Sequence, residues 1–501
     1  MKLSGRILSA HIFSIALGLA ACGGGKEPVT PAHVDHGGAV APPPVDTAVA
    51  DRFNAALDAF NAHDKAADWS DDSCTSIAKQ FEAAGDGKLA EATYNAGLAY
   101  QRCGNENQAK AHFTQALSQD PKSHFAKAQL ALYQYKQDNN EDAAIATLQQ
   151  AVLDAQFQDV PALVDLAMFQ MSRDSTQGGD RCKDDMDCAK QNLQRALAID
   201  DGYMPAFNQL ALYYFQLAKK RAGAIKGKRG RQLVTNAAVG KRADVQQLDL
   251  AAVVCSQAIR KSSSYAPIHN TAGLIQNELG QVNGAVQEFA AAAKLDPKFF
   301  EAQMNYAAVN LSFRGFEQAQ QAYQKALEMR PNDYDAHLGL ALALRGQITD
   351  VNYDKQLAAV QAELDSCKKI DAARPDAYYN EGILTQEYKA KSGGGDAATI
   401  AALDAATKIF QSFIDRAADK PEYAGAVKRS KERIQDMEDT KTFINTKVAP
   451  EPSAPAAPAA SGSAAPAAAG DGGAPAAPAP PAPPAPPAGA APPPPPPAPT
   501  K

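Results

Sequence analysis

This sequence of 501 residues has little of what enzymes and nucleic-acid-binding proteins usually carry. Aromatic residues make up 7% of the chain, there is one Trp, and the eight His are scattered. The motifs Gly-x-Ser-x-Gly and His-Glu-x-x-His and the dinucleotide fingerprint are absent. The formal charge of −6 argues against general nucleic-acid binding. We therefore expect no enzymatic activity, no cofactor and no nucleic-acid partner.

Metal and nucleotide sites are not indicated either. His33 and His36 lie in a Pro- and Gly-rich stretch that is typical of a solvated linker. The dipeptides Gly227-Lys228 and Gly240-Lys241 are each followed by Arg. A phosphate-binding P-loop needs Ser or Thr at that place, so nucleotide binding is not expected.

The apolar run at the N-terminus is too short to cross a membrane. It extends from Ile7 to Ala21, follows Lys2 and Arg6, and is interrupted by polar residues. These features predict a signal peptide over residues 1–21. An ordinary signal peptide with a chance cysteine at its end stays open as an alternative.

The end of this run resembles the lipobox of bacterial lipoproteins. It reads Leu19-Ala20-Ala21-Cys22. The resemblance implies that Cys22 carries lipid, becomes the new N-terminus and anchors the chain at a bilayer. Because Gly23 rather than Asp follows Cys22, the resemblance also implies sorting to the outer membrane, with the chain facing the periplasm.

Small residues recur with a period of 34 between residues 266 and 333. The clearest set is Gly273, Ala285, Phe289 and Pro297, matched 34 residues later by Ala307, Ala319, Tyr323 and Pro331. Small residues allow two helices to approach closely, and proline ends the second helix. The pattern resembles the tetratricopeptide repeat (TPR), a helix–turn–helix unit of this period. The resemblance implies an all-α, right-handed solenoid whose concave face is lined by the first helices.

The same pattern extends over most of the chain. Gly97, Ala109 and Pro121 mark an uninterrupted unit, and weaker matches follow it. We predict about eight units, preceded by a helical pair and closed by a charged capping helix at about residues 421–445. The predicted organisation is a signal peptide (1–21), a flexible linker (22–46), a TPR array (47–446) and a disordered tail rich in Pro and Ala (447–501).

The cysteines fit an exported protein. With Cys22 lipidated, an even number remains, which permits disulfides. Proximity favours the pairs Cys182–Cys188, within one insertion, and Cys74–Cys103, on neighbouring hairpins. Cys255 and Cys367 are expected to be buried free thiols.

The fourth unit contains an insertion of concentrated positive charge. Between residues 219 and 242 there are nine Lys and Arg and no acidic residue. We interpret the segment as a mobile loop that binds an anion, such as a phosphate head group or an acidic protein face. A solvated insertion without a partner stays open. The candidate residues are Lys219, Lys220, Arg221, Lys226, Lys228, Arg229 and Arg231.

The residues expected on the concave face exclude one known binding mode. Some TPR domains hold a peptide carboxylate with Lys and Asn at fixed positions. The corresponding residues here are Tyr94, Leu98, Asn270, Leu274, Met304 and Ala308. The carboxylate clamp is therefore absent, and an apolar or helical ligand is expected instead.

The overall layout resembles TPR lipoproteins of gliding bacteria, including that of the adventurous gliding-motility machinery. The resemblance implies a lipid-anchored scaffold that binds proteins of a cell-envelope complex through its concave face. An adaptor or regulator of peptidoglycan-modifying enzymes is the alternative.

Overall fold

The computed structural model describes residues 47–66, 68–178, 182–229, 238–391 and 394–448; for residues 221–229, 238–244 and 447–448 it describes the backbone. The predicted signal peptide and lipobox, with Leu19, Ala20, Ala21 and Cys22, lie outside the described residues. So do the linker, Arg231 and the tail from residue 449 onward. No helix among the described residues is both long and apolar enough to span a bilayer.

Over these ranges every regular element is helical, which confirms the predicted all-α class. Nineteen α-helices follow one another, with short 3₁₀ turns at Lys389–Lys391 and Pro421–Tyr423. They are α1 Thr47–Ala66, α2 Asp71–Ala84, α3 Ala90–Arg102, α4 Glu106–Gln119, α5 His124–Asp138, α6 Glu141–Asp154, α7 Val160–Arg173, α8 Asp185–Ile199, α9 Met204–Arg229, α10 Ala238–Lys261, α11 Ala266–Glu278, α12 Val282–Leu295, α13 Phe300–Ser312, α14 Phe316–Met329, α15 Tyr334–Arg345, α16 Tyr353–Ile370, α17 Asp376–Glu387, α18 Gly395–Ala417 and α19 Ala424–Val448.

Consecutive helices pack in pairs. The first pair is α1 with α2, and eight further pairs follow, from α3 with α4 to α17 with α18. The unpaired helix α19 closes the series, and its Met437 is buried in the same cluster as Phe410 and Phe413. These pairs are the helical hairpins that the 34-residue pattern predicts.

The recurring small residues lie where the two helices of a hairpin touch. A Cβ atom at Gly273 would come within 2.6 Å of the Phe289 ring, and one at Gly97 within 2.7 Å of the Phe113 ring. Any larger residue at these glycines would separate the helices. The alanines at the other close contacts, Ala109, Ala285, Ala307 and Ala319, are fully buried.

The prolines of the pattern follow the second helices directly. Pro121 comes two residues after α4, Pro297 two residues after α12, and Pro331 two residues after α14. Proline has no backbone N–H and restricts the residue before it, so it separates one hairpin from the next.

The predicted loop in the fourth unit is wrong for most of its length. Residues 219–229 continue α9, and Lys241 and Arg242 lie in the first turns of α10. Lys, Arg and Ala favour the helix, while Gly223 and Gly227 each disfavour it by about 1 kcal/mol relative to Ala. Two such glycines do not end a helix that packs along its partner, so the added residues lengthen the hairpin.

Candidate interaction surface

The first helices of the hairpins form the inner side of the array. Contacts run from α5 to α7, α9, α11, α13, α15 and α17 in succession. The second helices contact only first helices to any comparable extent within the described part of the chain. First helices that touch across hairpins must lie closer together than second helices, so their free faces line the inner surface.

A row of polar side chains follows this surface. The sixth residue of each inner helix from α3 to α13 is polar: Asn95, Gln129, Asp165, Gln209, Thr271 and Asn305. In a helical array, residues at the same position of successive helices lie beside one another. The row therefore crosses six neighbouring helices.

Three of these six side chains are paired with the preceding inner helix. Thr271 Oγ1 donates a hydrogen bond to Asn208 Oδ1 (2.7 Å). Asn305 Nδ2 donates one to Asn270 Oδ1 (2.9 Å). In both cases the partner is the fifth residue of the preceding inner helix. We call such a contact a rung, and rungs satisfy polar groups that would otherwise be buried unpaired.

The same register occurs at the start of the array. Gln129 is hydrogen-bonded to the Tyr94 hydroxyl, the fifth residue of α3. Burial raises the pKa of Tyr94, and the negative charges of Asp159 and Asp165 raise it further. Tyr94 therefore stays neutral, as does the amide that it meets.

Two rungs in the middle of the row are open. The register of the closed rungs places Ala128 opposite Asp165 and Val164 opposite Gln209, and neither apolar side chain can form a hydrogen bond. Among the described residues, neither Asp165 nor Gln209 has a hydrogen-bond or ion-pair partner. We call these two positions the open rungs.

The open rung at Asp165 is also electrostatically unfavourable. The side chain is half-buried, and this desolvation raises the pKa of its carboxyl to about 7, with a smaller contribution from the charge of Asp159. Loss of water disfavours the charged form of an acid unless a cation or donor replaces the water. The described fold supplies no such group.

Basic side chains of the inner helices α3 and α5 are engaged with other acids. Arg102 donates from Nε and Nη2 to both carboxylate oxygens of Asp64 (2.8 and 3.0 Å). Lys127 pairs with Asp154. His124 Nδ1 lies 2.7 Å from Oδ2 of Asp159, whose Oδ1 accepts the Ala162 N–H at the start of α7 (3.0 Å).

Aromatic side chains lie on the two inner helices that precede the first open rung. The rings of Tyr94 and Phe125 are 5.7 Å apart, and both side chains are half-buried on the inner helices α3 and α5. The His124 ring lies 3.9 Å from that of Phe125. This part of the inner surface thus combines aromatic faces with one unpaired carboxylate.

Sequence reasoning missed Asp165 because it compared only the fifth and ninth positions of the clearest units. The sequence carries a signal at the sixth position of the inner helices α3 to α13, where Asp165 is the one acid in a row of amides and a threonine. The partner of each residue in the row was not apparent, because pairing depends on the alignment of successive hairpins.

Both cysteine pairs named from the sequence form disulfides. Cys74 on α2 is bonded to Cys103 at the end of α3, with Cα atoms 6.4 Å apart. Cys182 is bonded to Cys188 on α8, with Cα atoms 5.1 Å apart. Cys255 and Cys367 are buried thiols, and burial raises the pKa of each to about 12. Both thiols are therefore unreactive at neutral pH.

The basic segment is partly engaged within the fold. Lys219 Nζ lies 4.5 Å from the Phe215 ring centroid, and burial lowers its pKa. Lys220 pairs with Asp174, which ends α7. Arg221, Lys226, Lys228 and Arg229 lie on the last turns of α9. In the described part of the chain, no group of His, Cys, Asp and Glu is arranged to hold a metal ion.

Comparison with known proteins agrees with this architecture. Residues 90–123, which span α3 and α4, match the family model described as tetratricopeptide repeat. The chain has the TPR fold. No curated protein matches the sequence.

Several solved structures resemble parts of the chain. The thermophilic TPR protein TTC0263 from Thermus thermophilus is 24% identical and covers 44% of this chain and 99% of its own, with a TM-score of 0.35. A TPR protein from Parabacteroides merdae is 12% identical over 63% of this chain and 99% of its own (TM-score 0.34). A monomeric IFIT1 mutant solved with Gppp-AAAA is 16% identical over 77% of this chain and 80% of its own (TM-score 0.45).

Proposed function

We propose that the chain is a lipid-anchored scaffold whose inner helices bind segments of partner proteins in a cell-envelope complex. TPR arrays generally mediate protein–protein interactions, and this fold is typically non-enzymatic. The observation that carries the proposal is the inner surface itself. It presents half-buried aromatic rings beside polar groups whose rungs are open, which is a surface suited to an added polypeptide.

The disulfides support an extracytoplasmic location. Cys74–Cys103 and Cys182–Cys188 are stable in oxidising compartments and rare in the reducing cytosol. Together with the signal-like N-terminus, they favour a periplasmic chain that Cys22 anchors to the outer membrane. The Pro- and Ala-rich residues after 448 then act as a spacer.

The process that this scaffold serves is proposed from the layout of the sequence. The lipobox, interrupted array and Pro/Ala tail favour a trans-envelope motility assembly of gliding cells. The alternative is that the chain is an adaptor or regulator of peptidoglycan-modifying enzymes. The identity of the partner proteins distinguishes the two proposals.

Site-specific photo-crosslinking in intact cells tests the proposed surface. A photoreactive residue replaces Leu132, which is half-buried on the inner helix α5. The matched control replaces Leu153, which is 53% exposed on the outer helix α6. We expect envelope proteins to crosslink to the inner position and not to the outer one. Equal recovery from both positions, or none from either, contradicts the proposal.

Membrane anchoring is tested separately. Cys22→Ser removes the only thiol of the lipobox and should move the protein from the membrane to the soluble fraction. A variant that still sediments with membranes contradicts the lipid anchor, whatever the crosslinking shows.

A further inference from the structure

The row of polar residues contains one charged member that is unpaired within the described fold. Asn305 and Thr271 each bind an amide on the preceding helix, and Gln129 binds Tyr94. Asp165 occupies the equivalent place on α7, where the register places Ala128 opposite it. An amide at this place would remain neutral, whereas a carboxylate loses hydration and gains nothing in return.

A residue that destabilises its own fold while lying at a binding surface is a candidate for recognition. The pKa of about 7 supports this interpretation, since it reports a carboxyl that lacks a compensating partner. The geometry carries it independently. Arg102 of α3, and Lys127 and His124 of α5, are each bound to another acid: Arg102 to Asp64, Lys127 to Asp154 and His124 to Asp159.

The neighbouring side chains define the chemistry of the missing group. A carboxylate in a partly desolvated position is best satisfied by an ammonium or guanidinium group. Tyr94 on α3 and Phe125 on α5 are half-buried aromatic residues of the inner helices, and aromatic rings attract cations and cover the aliphatic stem of Lys or Arg. The second open rung, at Gln209, offers an uncommitted amide one helix further along.

We propose that Asp165 binds a Lys or Arg side chain of a separate partner protein, whose segment lies across the inner helices α5, α7 and α9. This proposal rests on the proposed function, because it assigns the chemistry of the same surface. The partner segment is recognised by a positive side chain at one fixed position, flanked by apolar residues against Tyr94 and Phe125. This is opposite in charge to a clamp for peptide carboxylates.

Selection from a displayed library of random peptides tests the proposal on the full-length chain. Wild-type protein should enrich peptides with Lys or Arg at one fixed position. For a selected Arg peptide, Asp165→Asn and Asp165→Ala should weaken binding by about 10- to 100-fold. Replacing that Arg with citrulline, which has the same shape without the charge, should weaken binding to the wild type equally and leave binding to the variants unchanged.

The control variant is Glu91→Gln, which removes one negative charge from an exposed position on the inner helix α3. It should change peptide affinity less than twofold. An equal loss in Glu91→Gln and Asp165→Asn would show general charge attraction and overturn the inference. Circular dichroism confirms that each variant is folded.

Other outcomes separate this inference from the broader proposal. Peptides that bind the inner surface, as shown by loss of binding in Tyr94→Ala, but carry no fixed cation overturn the role of Asp165 and leave the scaffold intact. Failure to enrich any peptide, with no inner-surface crosslinks in cells, overturns both. A dimer that Asp165→Asn converts to monomer also overturns the inference, because a second copy would then supply the cation.

Discussion

The α5–α7 and α11–α13 interfaces differ at the same two positions, the fifth residue of one inner helix and the sixth residue of the next. At α11–α13, Asn270 and Asn305 close a rung with a hydrogen bond of 2.9 Å. At α5–α7, Ala128 faces Asp165 and the rung is open. The closed rung satisfies polar groups within the fold. The open rung leaves a carboxyl group available to a partner outside the fold, and this unpaired group lowers the stability of the folded chain.

The comparison teaches that regularity and function lie in different places. The hairpins of α11–α14 follow the 34-residue pattern without insertion, and their inner polar groups are paired. The middle of the array, from α5 to α9, keeps the helices and packing but has two successive open rungs. A departure from pairing therefore marks the candidate site better than the repeat pattern itself.

The largest effect is expected where the packing common to both regions is removed. Phe289 is fully buried against Gly273, so Phe289→Ala leaves a cavity between α11 and α12. We expect a loss of about 3–5 kcal/mol in the free energy of unfolding. Urea denaturation measures this loss, with Phe443→Ala at a 60% exposed position as the control. Equal losses would refute the packing role of Phe289.

The closed and open rungs should respond differently to truncation. Asn305→Ala leaves the Asn270 amide without its partner and should lower stability by about 1–3 kcal/mol. Gln209→Ala removes a side chain that makes no hydrogen bond among the described residues, so it should change stability by less than about 0.5 kcal/mol. Thermal denaturation of both variants checks the difference. Losses of the same size would remove the distinction between the two kinds of rung.

Asp165→Asn should stabilise the protein by about 1–2 kcal/mol at pH 8. Because the folded-state pKa of about 7 is above the ordinary value of 3.8, folded Asp165 holds its proton to higher pH than unfolded Asp165. Wild-type stability thus falls as pH rises from about 4 to 7 and then levels off. The gain in the variant should grow over that range.

Unfolding experiments at several pH values, with Glu91→Gln as the control, measure this gain. Two effects raise the pKa of Asp165: the burial of its side chain and the charge of nearby Asp159. Asp159 is in turn hydrogen-bonded to His124. A gain that is absent, or independent of pH, would show that the carboxylate is well solvated and that the rung is not open.

The smallest effect on stability is expected at His269, in the regular α11–α14 region. Its contribution changes over a different pH range from that of Asp165. Nδ1 lies 2.7 Å from Glu288 Oε2 and Nε2 lies 3.1 Å from the Ser263 carbonyl, so both nitrogens face acceptors. The bond to Glu288 raises the pKa of His269. This stabilisation, about 1 kcal/mol, is complete below pH 6.5 and is lost as pH rises through the folded-state pKa.

Comparison of His269→Gln with the wild type at pH 6 and pH 9 checks this expectation. The wild type should be the more stable protein at pH 6, and the difference should shrink at pH 9. A difference that grows with pH would mean that His269 is held neutral.

Much of the fold was predictable because it depends on local rules. Gly273 and Phe289 at a spacing of 16, with Pro297 after them, define a hairpin from residues that are near in sequence. The disulfide partners Cys182 and Cys188 are close for the same reason. The segment 219–229 differs from its predicted form because its charge and glycines indicate a loop, whereas the helix α9, which packs against α10, continues to Arg229.

The sequence by itself determined the helical repeat, its period and the residues that separate one hairpin from the next. All of these follow from steric limits within about 34 residues of chain. Only the tertiary structure decided that Thr271 meets Asn208 across 63 positions, and that Asp165 has no hydrogen-bond or ion-pair partner among the described residues. Inner helices are brought together by the stacking of whole hairpins, and this stacking selects which polar groups are satisfied within the fold.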